Sequence, residues 1–439
     1  MVIQRLRQFA ADAAVDHTER PRVTVPAWLL VPGLAVLAGA LALFVLFLRD
    51  HRFSGTDFSM YVGAARAFLD GQPVYQLGYT GLHLPYTYPP VTLPFLVPAT
   101  WIDERTALYC MNAVSFAAML AAVWLTTRMV GFRGTAGRVG IVAAIGAAVL
   151  WSEPLYRNMN MGQINVLVML LVVADLALSD RSRFKGIGIG AATAVKLLPG
   201  LFVVYLLLTR RIRAAFVAAG TFLGLTLIGF AVDPGGSVDY WIDGRAFDTS
   251  RVLMGPGPRY GGNQSLQGFT ARLLGTNEQN TIWWMLSALV VAVAGMALAV
   301  AVQRRGEEAM AMIIVGFTTL LISPVSWSHY WLWIGPAAVV LIDVVRRVSG
   351  RARLIPAAVA LAVLLPFALW PTHDRSGEFL PTGLIWGAWN TQGLTRRLFV
   401  DPYVPAALLL FALAAVWLYR LTRKAAQAAV PTGPAADAG

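Results

Sequence analysis

Apolar positions in this chain fall in long blocks separated by polar stretches, as in Ala27 to Leu48 and Ile212 to Val232. A helix needs about 20 apolar residues to cross a hydrocarbon core of about 30 Å. By that measure, spans are predicted near 27–48, 105–127, 138–153, 163–178, 212–232, 282–303, 307–322, 330–346, 353–371 and 403–421. The segment 186–208 is long enough for one more span of about 34 Å. However, Lys196-Leu197-Leu198-Pro199-Gly200 interrupts it halfway, and proline and glycine break helices. It is therefore read as two short helices that enter and leave on one side. The expected fold is an all-α integral membrane protein, a polytopic bundle of about twelve transmembrane helices.

Basic residues orient this bundle, because positively charged loops stay cytoplasmic. Arg128, Arg133 and Arg138 belong inside, as do Arg181, Arg183 and Lys185, then Arg210, Arg211 and Arg213. The same holds for Arg304 and Arg305, for Arg346 to Arg353, and for Arg420 to Lys424. All of them land inside only with the 186–208 hairpin; a single span there puts two basic clusters outside and is rejected. Residues 1–26 then form a cytoplasmic leader, 27–424 the membrane domain, and 425–439 an Ala/Pro/Gly-rich cytoplasmic tail expected to be disordered. Three long segments face outward, about 49–103, 233–280 and 371–401, with Pro89 to Ile102 on or in the outer leaflet. Connections this long are commonly functional.

Composition agrees with the blocks. Of 439 residues, 57% are hydrophobic and 13% charged, against roughly 25% charged in soluble domains. The formal charge of +12 sits at helix ends, so it points to the membrane and not to nucleic acid. The single cysteine, Cys110, excludes an internal disulfide and a cysteine metal cluster, and is expected in the packed core. Met1 to Arg22 is too polar for a signal peptide. No zinc spacing or phosphate-cradling loop occurs. No internal repeat is seen either, which weakens a flippase or transporter reading.

The first outer segment begins Phe53-Ser54-Gly55-Thr56-Asp57. An amphipathic stretch follows, with Tyr61, Ala64, Ala65 and Phe68 on one face and Arg66 and Asp70 off it, a pattern suited to an interfacial helix. Thr56 or Asp57 suits the cap of that helix. Asp57 also suits a second role: it lies at the outer lipid–water boundary, where a carboxylate accepts a proton from a hydroxyl within about 2.6–3.2 Å.

The ordered set of motifs is distinctive. It comprises the Asp57 loop, Thr87-Tyr88-Pro89-Pro90, Gly162-Gln163-Ile164-Asn165, Ala194-Val195-Lys196-Leu197-Leu198-Pro199, Gly262-Asn263-Gln264-Ser265-Leu266, and Ser323-Pro324-Val325-Ser326-Trp327-Ser328-His329. Over roughly residues 50–345 the chain resembles the actinobacterial polyprenyl-phosphate-mannose-dependent α-(1→2)-mannosyltransferases of the GT-C superfamily. The resemblance implies a plasma-membrane enzyme with its site on the extracytoplasmic face. It implies a polyprenyl-phosphate sugar donor, a glycolipid acceptor such as a mannosylated phosphatidylinositol, inversion at the anomeric carbon, and Asp57 as catalytic base. A donor phosphate is already a good leaving group, so a base and nearby cations suffice. With no second carboxylate between Asp57 and Asp70, no cofactor or obligatory metal is expected. A polyprenyl-phosphate-arabinose-dependent arabinofuranosyltransferase is the alternative within the fold.

Further residues receive roles in this frame. His329 contacts donor phosphate or acceptor, or relays a proton, against a packing role beside Trp327, Tyr330 and Trp331; Tyr330 stands where members of the family often carry a second histidine. Lys196, charged at bilayer depth, is a functional candidate for the donor phosphate, against snorkelling to an interface. A half-helix of about eleven residues reaches only about 16 Å from the inner face, which sets Lys196 beneath an outer cavity. Arg251 and Arg259 are further donor-phosphate candidates. Tyr260, Asn263 and Gln264 suit sugar hydroxyls, since amides both donate and accept. Gln163, Asn165 and Arg157 are expected to contact the sugar or acceptor, and Met254 to Pro258 reads as a gate. Asp175 and Asp343 read as partners of cytoplasmic arginines.

Overall fold

The computed structural model describes residues 22–252, 257–373, 379–381, 383–389 and 391–428. The leader up to residue 21, residues 254–256 of the expected gate and the tail beyond 428 lie outside the described residues. A helix stands in each segment expected to enter the membrane. The helices used below are α1 (Leu30–Asp50), α2 (Thr56–Leu69), α3 (Glu104–Met129), α4 (Thr135–Leu150), α5 (Glu153–Met161), α6 (Asn165–Leu176), α7 (Ile187–Val195) and α8 (Leu201–Leu208). They continue with α9 (Ile212–Val232), α10 (Leu266–Leu274), α11 (Ile282–Gln303), α12 (Glu308–Ile322), α13 (Ile334–Arg346), α14 (Leu354–Leu364) and α15 (Tyr403–Ala428). Among the described residues, strand is confined to three ladders of two or three residues per strand, one of which pairs Val23–Thr24 with Phe132–Arg133.

Length sorts these helices. Among the described residues, six helical stretches are long and apolar enough to cross a membrane, at 27–50, 104–129, 212–232, 282–303, 350–367 and 403–423. They form the outside, with side chains such as Val31, Leu43, Phe216, Trp283 and Val290 left exposed for lipid. The shorter helices form the interior: every residue of α12 from Glu308 to Leu321 is buried. Small residues let the layers close. A Cβ at Gly33 of α1 would meet the Gly140 carbonyl oxygen of α4 at 2.2 Å, so the two backbones cross in contact, as small residues permit between membrane helices.

The 186–208 segment is the expected hairpin. Gly186 packs on Ala214 and Gly190 on Ala218, so α7 runs parallel to α9. α8 leads into α9 through a turn of three residues, Thr209 to Arg211, and runs back against it. The extended Lys196 (φ −153°, ψ 125°) and the Leu198–Gly200 turn form the hairpin tip. Asp175 holds the hairpin's start: it accepts backbone N–H bonds from Gly186, Gly188 and Ile189 at 2.7–3.2 Å. It is thus a helix-start acceptor, where an arginine pair was expected. Asp343 does pair with arginines, Arg346 and Arg347.

The two ends of the bundle differ in chemistry. The short connections carry interlocked charges: Lys185 with Asp180, Arg211 with Asp180 and Glu308, and Arg347 with Glu307. The opposite end carries the long aromatic segments. There α2 is packed more deeply than an interfacial helix requires, with Phe58, Met60, Tyr61, Val62, Ala64 and Ala65 all buried. The 78–85 hairpin and the helical turns of 90–100 cover its second face. Cys110 is exposed, not in the core, because it lies on the side of α3 that also exposes Tyr109 and Val114.

Candidate functional site

Asp57 is placed by its neighbours in the chain. Gly55, at φ +62°, turns the backbone and donates its N–H to Asn160 O at 2.8 Å. A side chain is strained at that φ, so this glycine, and neither Thr56 nor Asp57, occupies the cap position of α2, with no side-chain cap bond. The Asp57 carboxylate is therefore free for a partner outside its own helix. Gln163 Nε2 donates to its Oδ2 at 2.5 Å. Burial holds its carboxyl above the usual range, while the Gln163 bond and the Lys196 charge pull the other way.

Gln163 sits after Gly162, whose positive φ ends α5, and its amide is a junction. Its Oε1 lies 3.0 and 2.8 Å from the hydroxyls of Tyr61 and Tyr88 and accepts from Asn165 Nδ2 at 3.2 Å. Asn165 Oδ1 in turn accepts from Lys196 Nζ at 2.7 Å. A continuous hydrogen-bonded chain thus runs from Asp57 through Gln163 and Asn165 to Lys196. The ammonium also sits 3.6 Å from the centre of the Tyr330 ring, a cation–π contact.

The expectation that Lys196 lies beneath the cavity is corrected. α7 has 9 residues and α6 has 12, so they rise only about 14 and 18 Å from the basic end. α13, with 13 residues, rises about 20 Å. These interior helices all stop short of a full crossing, and the polar cavity reaches the hairpin tip at Lys196. Its volume is about 180 Å³, and Thr87, Tyr88, Lys196, Tyr240, Arg245, Asp248, Arg251, Ser323 and Tyr330 line it. A smaller, mostly apolar cavity of about 50 Å³ adjoins it at Lys196 and Tyr330, lined by Val168, Met169, Phe202 and Trp333 among others. Asp57 is not among the residues lining this cavity; it is half-buried and is joined to Lys196, which does line it, through the hydrogen-bonded chain.

Arg251 lines the cavity, donating to the carbonyls of Tyr75 and Tyr86 at 3.1 and 3.4 Å. Arg245, which sequence reasoning missed, donates to the same Tyr75 carbonyl at 2.5 Å. His329 is buried in the short Ser328–Tyr330 turn, and its Nε2 has no hydrogen-bond partner among the described residues. Burial, with the charges of Lys196 and Arg157, keeps this imidazole well below its usual pKa and therefore neutral. Arg157 packs 4.4 Å over the Trp386 ring.

Four expected residues serve the scaffold around the site. Arg259 donates to the Gly275 carbonyl and does not line the cavity. Tyr260 stands among Trp327, Trp386 and Trp389, with ring centres 5.7–5.8 Å away. Asn263 is fully buried, donating to Pro324 O and accepting from the N–H of Ser326. Gln264 is equally buried and donates to the carbonyls of Gly261 and Val400. These amides are occupied by backbone, which leaves them unavailable to sugar hydroxyls. Sequence reasoning also passed over Glu153, a lone acid after Ser152 that reads as an ordinary helix start. Among the described residues, no group of three His, Cys, Asp or Glu side chains stands together to hold a metal.

Residues 86–324 match the sequence profile of Glycosyltransferase family 87. The chain is 34% identical over 367 residues to the polyprenol-phosphate-mannose-dependent alpha-(1-2)-phosphatidylinositol mannoside mannosyltransferase of Mycobacterium tuberculosis (strain ATCC 25618 / H37Rv), covering 80% of this chain and 84% of the relative. It is 32% identical to the protein of the same name from Mycolicibacterium smegmatis, covering 76% and 80%. A polyprenol-phosphate-mannose-dependent alpha-(1-2)-phosphatidylinositol pentamannoside mannosyltransferase of Mycobacterium tuberculosis (strain CDC 1551 / Oshkosh) is 29% identical, covering 73% and 74%. Among solved structures, ArnT from Cupriavidus metallidurans bound to undecaprenyl phosphate superposes with a TM-score of 0.41 and 16% identity, over 88% of this chain and 78% of that one.

Proposed function

We propose, from the premise that this chain belongs to glycosyltransferase family 87, that it transfers mannose from polyprenol-phosphate mannose to a hydroxyl of a mannosylated phosphatidylinositol lipid on the outer face of the plasma membrane. Family membership decides between the enzyme and the transporter readings. The names of the relatives support this donor and this class of acceptor. The basic short loops support an outward-facing site.

The observation that carries the mechanism is the chain Asp57–Gln163–Asn165–Lys196, which joins a carboxylate to a cation at a polar cavity. In this reading the acceptor hydroxyl gives its proton to Asp57 as its oxygen bonds to the anomeric carbon. The bond from that carbon to the phosphate oxygen breaks on the opposite side, inverting the centre. Its electron pair leaves with the polyprenyl phosphate, whose growing charge Lys196, Arg251 and Arg245 balance. His329, neutral and with an unpartnered nitrogen, contacts the acceptor or donor phosphate as a hydrogen-bond partner. No metal takes part.

The test is purified protein with radiolabelled polyprenol-phosphate mannose and phosphatidylinositol mannoside acceptors. Asp57→Asn nearly keeps the shape but removes the base, and transfer is expected to fall about a thousandfold, within the usual range for general-base loss. Transfer at the wild-type rate would remove Asp57 from the mechanism.

A further inference from the structure

We propose that Glu153 is a positioning residue for this transfer: its buried carboxylate sets the turn that carries His329 and fastens the third outer segment beside it. The inference rests on the reading of His329 as a substrate-facing group. Glu153 is 1% exposed and collects donors from three remote parts of the chain. Its Oε1 accepts from Ser328 Oγ at 2.8 Å and from Trp386 Nε1 at 2.7 Å, and its Oε2 accepts from Tyr403 OH at 2.7 Å. Arg157 Nε completes the set at 3.5 Å. Gly383, at φ +85°, lets the third outer segment pass so close that a Cβ there would stand 2.8 Å from Glu153 Cγ.

Stability alone does not call for such a group, since replacing a buried charge by apolar packing is often neutral or stabilising. What the carboxylate does supply is direction. Ser328 precedes His329, and Tyr330, the third residue of that turn, carries the ring under the Lys196 ammonium. Arg157, tied to the same carboxylate, lays its guanidinium over the Trp386 ring, and its charge is one of those that lower the His329 pKa. One acid therefore aligns an imidazole, a guanidinium and the loop above them. Glutamine can keep an oxygen towards Trp386 and Arg157 and turn its NH2 to the Tyr403 hydroxyl. What that substitution removes is the negative charge that holds the Arg157 guanidinium and strengthens the other three bonds.

The experiment is a double-mutant cycle on the full chain, assayed with polyprenol-phosphate mannose and a phosphatidylinositol mannoside. Glu153→Gln is expected to lower kcat about tenfold to a hundredfold, the scale of a small misplacement, and to leave the KM for donor within about threefold. Glu153→Asp, one methylene shorter, is not expected to restore kcat. His329→Asn is expected to lose activity too, and the double variant to fall no more than about threefold below it, because residues acting as one unit do not add. Glu153→Gln activity within twofold of wild type overturns the inference, as does a double variant that loses the product of the two single effects. Should Glu153→Gln not purify as a monodisperse protein, Ser328→Ala replaces it in the cycle with the same two outcomes. A wild-type chain without mannosyl transfer sinks the functional reading and this inference together, whereas the outcomes above sink this inference alone.

Discussion

Asp57 is a carboxylate largely withdrawn from water, held by one amide and facing one ammonium, and its proton affinity records that balance. Burial raises its pKa, and the Gln163 bond and Lys196 lower it without cancelling the rise. A raised pKa keeps the acid protonated to a higher pH, so the catalytic base proposed at Asp57 would be lost as pH falls through that raised value. The acid limb of kcat/KM is therefore expected above the ordinary aspartate value of about 3.9. Gln163→Leu removes a lowering contact and should move the limb further up; a pH–rate profile of both proteins checks this, and a limb that moves down refutes it. At this scale sequence reading had uneven success. The location of Asp57 just past the first span was legible because chain order alone brings it there. Asn263 and Gln264 were misread because an amide that serves backbone carbonyls looks, in sequence, like one that serves a sugar. Glu153 gave no signal, since its partners Ser328, Trp386 and Tyr403 lie far along the chain.

Among the elements, the α7–α8 hairpin depends on glycine at the face that meets α9. A Cβ at Gly190 would stand 2.3 Å from the Ala218 carbonyl oxygen, whereas Gly224 of α9 has nothing within 4 Å of such an atom. Gly190→Ala should therefore cost about 1–3 kcal/mol by overpacking and lower the thermal midpoint of the purified protein. Gly224→Ala should leave that midpoint unchanged or raise it, since alanine favours helix. Equal midpoints for the two variants would show that the contact yields freely. The hairpin itself was readable from Lys196-Leu197-Leu198-Pro199-Gly200, where a charge, a proline and a glycine meet in an apolar run. That the cavity meets Lys196 was not readable, because its lining is drawn from segments far apart in the chain, Tyr88, Arg251 and Ser323 among them, a property of packing and not of any one segment.

For the whole molecule, the separation of a basic end from an aromatic end makes orientation testable. In a Cys110→Ala background, a cysteine at the exposed Gln72 should react with a membrane-impermeant maleimide in intact cells. One at the exposed Arg351 should react only after permeabilisation. The reverse pattern would put the site in the cytosol and end the extracytoplasmic reading. The all-helical plan was the most legible feature, because hydrocarbon leaves backbone polar groups no partner but their own helix. The short interior helices carry a further consequence. Since they stop short of a full crossing, an activated sugar held at the hairpin tip, as proposed, would rest below the level of the bulk aqueous phase. Hydrolysis, the wasteful rival of every transfer from a good leaving group, would have to draw its water through the cavity alone. Two lipid-borne reactants can meet without either one leaving the leaflet that carries it.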